Sequence, residues 1–209
     1  MRLLKLLLVV ALAVLLATAQ TSPHWRETDT ETIWTGRYSN CDYGYYVTLP
    51  AGVVGHGDKS PAPNHGFVLN PAAPERTETF TTVDSNRYIG VNNYYDVADH
   101  AHSIRATLNY YAGLGEIEKS ANFTVLGQED FRLAGLNAKR IQLRRVEGSQ
   151  TLREDRIVAY RPPGHDSGVV YQFTLVTPEN SYGEDNSLFD EIVRGFHLTK
   201  LPIGECSND

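Results

Sequence analysis

Residues 169–176 read Val169-Val170-Tyr171-Gln172-Phe173-Thr174-Leu175-Val176. Tyr171, Phe173 and Leu175 alternate with Gln172, Thr174 and Val176, and a repeat of two is the side-chain period of a β-strand. The second set is itself partly apolar, which places this strand at the centre of a sheet with both faces covered. Three further strands are expected just upstream, over residues 123–131, 138–146 and 152–161, and Pro162-Pro163-Gly164-His165-Asp166-Ser167-Gly168 reads as the hairpin loop before the last strand. Earlier strands are expected over residues 43–49, ending at Pro50, and over 66–69 and 88–95. Residues 51–65, punctuated by Gly52, Gly55, Gly57, Pro61 and Pro63, read as a long loop.

Two helices interrupt the strands. Val97, Ala101, Ile104, Leu108 and Tyr111 recur at helical spacing, with Asp96 as the expected N-cap, Asp99 in the first turn and Gly113 and Gly115 as the stop. Ile104 and Leu108 are therefore expected to be buried against the sheet. Ser187-Leu188-Phe189-Asp190 resembles a capping box and predicts a second helix through Phe196, with Phe189, Ile192, Val193 and Phe196 on its buried face. Strands, helix, four consecutive strands and a final helix define the class: α+β, a largely antiparallel sheet covered by helices.

The first residues specify a compartment. Arg2 and Lys5 precede an apolar run of 11 residues, 6–16, and Ala17-Thr18-Ala19 supplies the small-x-small pattern of a signal-peptidase site. The run is shorter than the roughly 20 residues a membrane-spanning helix needs, so residues 1–19 read as a removable export signal and not an anchor. Its loss removes two positive charges, so the formal charge of −6 becomes −8. An acidic surface disfavours nucleic acid and anionic membrane as partners. Residues 20–37 lack periodicity and are expected to form a flexible N-terminal arm, with Trp25 and Trp34 packing back onto a single domain spanning 38–209. Cys41 and Cys206, the two cysteines of the chain, would enter an oxidising compartment and are expected to form a disulfide, the alternative being a pair of free thiols. They lie 165 positions apart, which excludes a CxxC redox motif, and the loop they close corresponds to about 5 kcal/mol in the chain-entropy model.

The stretch Tyr43-Gly44-Tyr45-Tyr46-Val47-Thr48-Leu49-Pro50 resembles the opening strand of PsbP-like domains, a family of photosystem extrinsic subunits and bacterial relatives that shares its fold with the Mog-type Ran-binding proteins. Leu188-Phe189-Asp190-Glu191-Ile192-Val193-Arg194-Gly195-Phe196 is similar to the family's terminal helix, with Gly195 where Ser is common, and Gly135-Leu136-Asn137-Ala138 resembles its Gly-x-Pro-Ala turn without the Pro. The resemblance spans about residues 38–198 and implies a three-layer α/β/α sandwich. It also implies a binding role, since members bind proteins and some bind ions, while enzymatic activity is not a general property.

Candidate chemistry is sparse. His56, Asp58 and His65 share one loop, and two imidazoles with a carboxylate suit an open metal site; the competing reading is polar turn residues. His100 and His102 diverge by about 200° on a helix and cannot clasp one ion. Asp166-Ser167-Gly168 echoes a serine-protease tripeptide, but Val169 stands where a glycine is required, and the hairpin loop explains it better. No catalytic residue and no cofactor-binding motif emerges. Asn122-Phe123-Thr124 fits the glycosylation sequon. Twelve tyrosines, clustered at 43–46, 94–95 and 110–111, suit sheet packing or an aromatic surface for a protein or glycan. The sequence thus predicts an exported, secreted or periplasmic, non-enzymatic domain that binds an envelope or extracellular protein or a small ligand, using residues 52–66 and nearby tyrosines. The alternative is a metal-binding protein or metal-assisted hydrolase built on His56, Asp58 and His65.

Overall fold

The computed structural model describes residues 24–28, 30–59, 64–78, 84–96, 103–163 and 168–200. The strands among them are β1 (His24–Glu27), β2 (Glu31–Thr35), β3 (Arg37–Asn40), β4 (Tyr45–Thr48), β5 (Val54–Asp58), β6 (Gly66–Leu69), β7 (Tyr88–Asp96), β8 (Phe123–Leu133), β9 (Leu136–Glu147), β10 (Gln150–Arg161), β11 (Gly168–Pro178) and β12 (Phe196–Leu198). The helices are α1 (Ile104–Tyr111), α2 (Leu114–Ile117) and α3 (Tyr182–Arg194), the last preceded by a 3-10 turn at Glu179–Ser181. Nine strands form one sheet in the order β1-β2-β5-β6-β7-β11-β10-β9-β8, and β12-β4-β3 form a second. Every neighbouring pair runs antiparallel. The α+β class and antiparallel sheet are as expected, and β11 lies in the interior of the sheet, between β7 and β10.

Alternate residues of the central strands feed two separate cores, because a strand turns successive side chains to opposite faces. Tyr171, Phe173 and Leu175 of β11 join Ile157 and Ala159 of β10, Phe189 and Ile192 of α3, and Tyr45, Val47 and Phe196 of the second sheet. Val170, Val158 and Tyr160 face the other way, against Leu108, Ala112 and Ile117 from the α1–α2 segment. The helical cover is thinner than a full sandwich implies. On the first face α3 shares the work with the second sheet, and on the other the short α1 packs mainly on β9 and β10.

Several expectations need correction. Residues 24–35 are no loose arm: β1 and β2 extend the main sheet, with Trp25 paired to Trp34 and Trp34 edge-on to Tyr38 at 5.1 Å. Trp34 packs onto the domain as expected, whereas Trp25 is 56% exposed. The region read as one loop, 51–65, contains β5. Gly55 looked like turn punctuation, but a Cβ there would lie 2.9 Å from the Phe67 ring, so the glycine admits a close approach within a strand. Asp96 ends β7 and is not the cap of α1; Ser103 caps that helix, its Oγ accepting the Ala106 N–H at 3.3 Å. Val97, Asp99 and Ala101 lie outside the described residues. Leu108 is buried at 4% exposure, while Ile104, one turn nearer the tip, is 37% exposed.

The final helix starts five residues before Ser187, whose Oγ instead donates to the Gly183 carbonyl within the helix at 3.0 Å. Its first turns escape hydrophobic pattern reading because their buried side chain is ionic. Asp185 is 2% exposed and accepts two bonds from Arg87, each 2.9 Å, and one from Thr177 at 2.5 Å. Phe196 is buried as expected, but on β12 and not on the helix.

Buried phenols join the two sheets. Tyr38 donates to Asn64 Oδ1 at 2.6 Å, Tyr171 donates to the Tyr43 carbonyl at 2.7 Å, and Tyr45 donates to Asn93 Oδ1. Burial pushes the Tyr171 phenol up to about 12 from the ordinary 10.0 and raises Tyr38 and Tyr45 as well. Above pH 10 the unfolded chain releases tyrosine protons that the folded chain retains, so the unfolded state binds fewer protons and stability falls as pH rises from 10 towards 12. Below pH 10 the contribution is intact. Urea midpoints measured across this window should decline, with tyrosinate absorbance appearing in step with unfolding. Smooth titration of all twelve tyrosines near pH 10 with the fold retained would show that these hydroxyls are not buried.

Candidate functional site

Strand register lines up one row of side chains across the less-covered face. His56 on β5 stands opposite Val68 on β6, Val68 opposite Gly90 on β7, Gly90 opposite Thr174 on β11, Thr174 opposite Arg156 on β10, and Arg156 opposite Ile141 on β9. Ile141 belongs to the apolar cluster that α1 and α2 cover, with Leu143, Val158, Tyr160 and Val170. From Arg156 towards His56 the face is polar and opens into two cavities. The first, about 570 Å³, is lined by Tyr88, Tyr110, Tyr111, Glu154, Arg156, Gln172 and Thr174, with Glu116 and Lys119 at its edge. The second, about 470 Å³, is lined by Glu31, His56, Asp58, His65, Asn92 and again Tyr88. Tyr88 therefore stands where the two meet.

Glu154 and Arg156 form the chemical centre of the first cavity. Glu154 is 4% exposed. Its Oε1 accepts from Arg156 Nε at 2.5 Å, while its Oε2 is buried without a hydrogen-bond partner. Such an orphan carboxylate oxygen is costly, because it has lost water and gained nothing in exchange. Arg156 also donates through Nη1 to the Ala112 carbonyl at the end of α1, 3.2 Å away. Gly113 makes this reach possible: it adopts φ 73°, and a Cβ on it would sit 2.7 Å from Arg156 Nη1. The tyrosine wall is mutually braced. Tyr110 meets Tyr111 edge-on at 5.1 Å, Tyr94 stacks on Tyr111 at 6.5 Å, and Tyr111 donates to Asp96 Oδ1 at 3.1 Å. Burial, then the Asp96 charge, pushes Tyr111 up to about 12. Burial also raises Tyr88, with Glu154 adding to the effect.

The expected metal trio lines the second cavity without forming a ligand set. His56 Nδ1 faces Glu31 Oε2 at 3.1 Å and its Nε2 faces the Arg76 carbonyl at 3.0 Å, so both ring nitrogens are engaged. His65 Nδ1 pairs with the Tyr43 hydroxyl at 2.8 Å. Asp58 is exposed at the end of β5. Among the described residues no three His, Cys, Asp or Glu side chains converge as metal ligands. His100, His102, Asp166, Ser167 and Cys206 lie outside the described residues. Cys41 begins the turn between β3 and β4, where the Gly44 N–H donates to its carbonyl at 3.1 Å.

Sequence reading missed Glu154, Arg156, Gln172 and Thr174, although a signal exists. Glu154 and Arg156 interrupt an otherwise apolar set of alternate residues, Leu152, Val158 and Tyr160, and Gln172 and Thr174 interrupt Val170 and Val176 at the same level. Two central strands turning polar side by side mark an uncovered patch. Replacing His56 with Ala should cost about 2 kcal/mol in chemical denaturation, because Glu31 stays buried without its imidazole, and added zinc should leave the wild-type melting temperature unchanged. A zinc-dependent rise in wild type that His56→Ala abolishes would restore the metal reading.

No protein-family model matches the sequence, and no curated protein matches it significantly. Solved structures do. LpqN of Mycobacterium tuberculosis, described as involved in cell envelope biogenesis, is 13% identical, with a TM-score of 0.51 over 85% of this chain and 90% of that one. Cyanobacterial PsbP (CyanoP) from Synechocystis is 16% identical, with a TM-score of 0.48 over 82% and 94%. The Saccharomyces cerevisiae Ran-binding protein Mog1p is 16% identical, with a TM-score of 0.48 over 85% and 96%. The likeness is one of fold alone, and the chain has the PsbP-like, Mog-type fold that its first core strand and last helix resemble.

Proposed function

We propose that the protein is an exported, non-catalytic binding domain whose ligand occupies the open groove between α1 and β5. The observation that carries this reading is Glu154, a carboxylate 4% exposed with one oxygen unpartnered, on the wall of a cavity built from polar and tyrosine side chains. A buried acceptor without a partner is costly, and a ligand donor reaching it would offset that cost. The segment expected to carry function contributes His56, Asp58 and His65 to the adjoining cavity, as ligand-facing or structural groups and not as a metal cage. In an amide-resolved NMR screen of the mature protein against a small-molecule fragment set, the hits should move the Gln172 and Thr174 resonances. Hits that all map to other surfaces would sink the groove as the site.

Export rests on residues 1–19. No helix among the described residues is long and apolar enough to cross a membrane, and LpqN, of the same fold, is itself involved in cell envelope biogenesis. The Cys41–Cys206 bridge belongs to the same proposal. β12 pairs with β4, and the Thr199 N–H donates to the Gly44 carbonyl at 2.9 Å, so the chain reaches residue 200 beside the turn that begins at Cys41. Among the described residues no cysteine is free. Protein recovered from the envelope fraction should begin at Gln20 and have an intact mass two hydrogens below that of its reduced form. Reduction should lower stability by up to about 5 kcal/mol. An unprocessed N-terminus, or two alkylatable thiols under native conditions, would refute export or the bridge respectively.

A further inference from the structure

Resting on the reading of the groove as a binding site, we infer that its first cavity takes a neutral saccharide. Three independent features point to this class. The first is charge balance: the cavity's charged residues are Glu116, Lys119, Glu154 and Arg156, two of each sign, and the deepest pair is joined at 2.5 Å. Because Arg156 already compensates Glu154, a cation gains little there, and an anion meets the unpartnered Glu154 oxygen.

The second is the pattern of donors and acceptors. Glu154 Oε2 can only accept. Arg156 uses its Nε–H on Glu154 and one Nη1–H on Ala112, and its remaining N–H groups, one on Nη1 and two on Nη2, can only donate. Gln172 offers both through its amide, and Thr174 through its hydroxyl. Adjacent hydroxyls on a sugar ring each donate one hydrogen bond and accept others, so a vicinal pair can donate to Glu154 Oε2 while accepting from the neighbouring guanidinium. A ligand with a single polar tip satisfies one of these groups and leaves its neighbour without a partner. A polyol satisfies them together.

The third is the wall. Tyr110 is 59% exposed and stands edge-on to Tyr111 at an interplanar angle of 88°. The two rings do not make a parallel slot for a flat aromatic ligand. They offer apolar ring surface with hydroxyls at the tips, which suits the C–H faces and polar rim of a pyranose. At about 570 Å³ the cavity falls in the roughly 300–1,000 Å³ range of small-ligand sites, which is room for more than one sugar ring.

The test is calorimetric and NMR titration of the mature protein with neutral hexoses, pentoses, N-acetylhexosamines and their disaccharides, alongside glucosamine, glucuronate and choline as charged counterparts. At least one neutral saccharide should bind, shift the Gln172 and Thr174 amides, and bind at least tenfold tighter than its charged counterpart. Glu154→Gln should weaken it at least tenfold. Tyr110→Ala, at a position exposed enough to leave the fold intact, should weaken it at least threefold, so the inference stays testable if the buried substitution fails to fold. Preference for glucosamine or choline at the same amides would overturn the saccharide inference while leaving the groove as a binding site. The absence of saccharide binding would overturn it too, and saccharide shifts confined to other surfaces would overturn both.

Discussion

A tyrosine ring driven into the junction between two sheets brings a hydroxyl that must still find a partner, and this requirement governs how the molecule closes. Tyr45 comes from the small sheet and is fully buried, and its hydroxyl is received by Asn93 on β7. Tyr171 comes from the central strand and reaches back to the Tyr43 carbonyl. The two rings meet edge-on at 5.2 Å, and Phe196 packs against both, at 5.6 Å and 5.1 Å. Ring packing alone tolerates sliding; directional hydroxyl bonds do not. Since Phe196 opens β12 directly after α3, seating these rings also sets where the last helix must end.

Ionic contacts then fix the rest of that helix. Asp155, fully buried on β10, accepts from Arg140 Nε at 2.9 Å, and Arg140 also reaches Asp190 of α3 at 3.0 Å. Arg87 holds Asp185 near the other end of the helix. Asp155 and Asp185, both removed from water, are each matched by a guanidinium in multiple contact, the arrangement in which a buried charge is tolerated. One face of the sheet is thereby closed along the length of α3. Among the described residues the opposite face is covered by α1 and α2, and the part they leave uncovered forms the groove.

This division explains what could be read from the sequence and what could not. The strands from residue 123 onward were legible because their residues alternate, and β11 was recognisable as central because Gln172 and Thr174 share their face with Val170 and Val176. β2 was not legible: Glu31 and Thr32 look polar, yet both are buried, Glu31 against His56. β5 was hidden because its glycines serve close packing and not turns. The start of α3 was hidden because Asp185, a charged residue, is its buried contact. For the groove, each strand shows a polar interruption, but only the register reveals that the interruptions of β10 and β11 are adjacent.

Arg156 then ties the groove to the helix above it. One guanidinium orients Glu154 through Nε and binds the carbonyl of Ala112, the C-cap of α1, through Nη1, and the left-handed Gly113 keeps the space between them open. The helix end stabilises the arginine, the arginine holds one carboxylate oxygen, and the second oxygen is buried without a partner in a residue that lines the cavity. Glu154 is consequently pre-organised: its position is fixed by protein contacts before any ligand arrives, so ordering it costs nothing at the moment of binding.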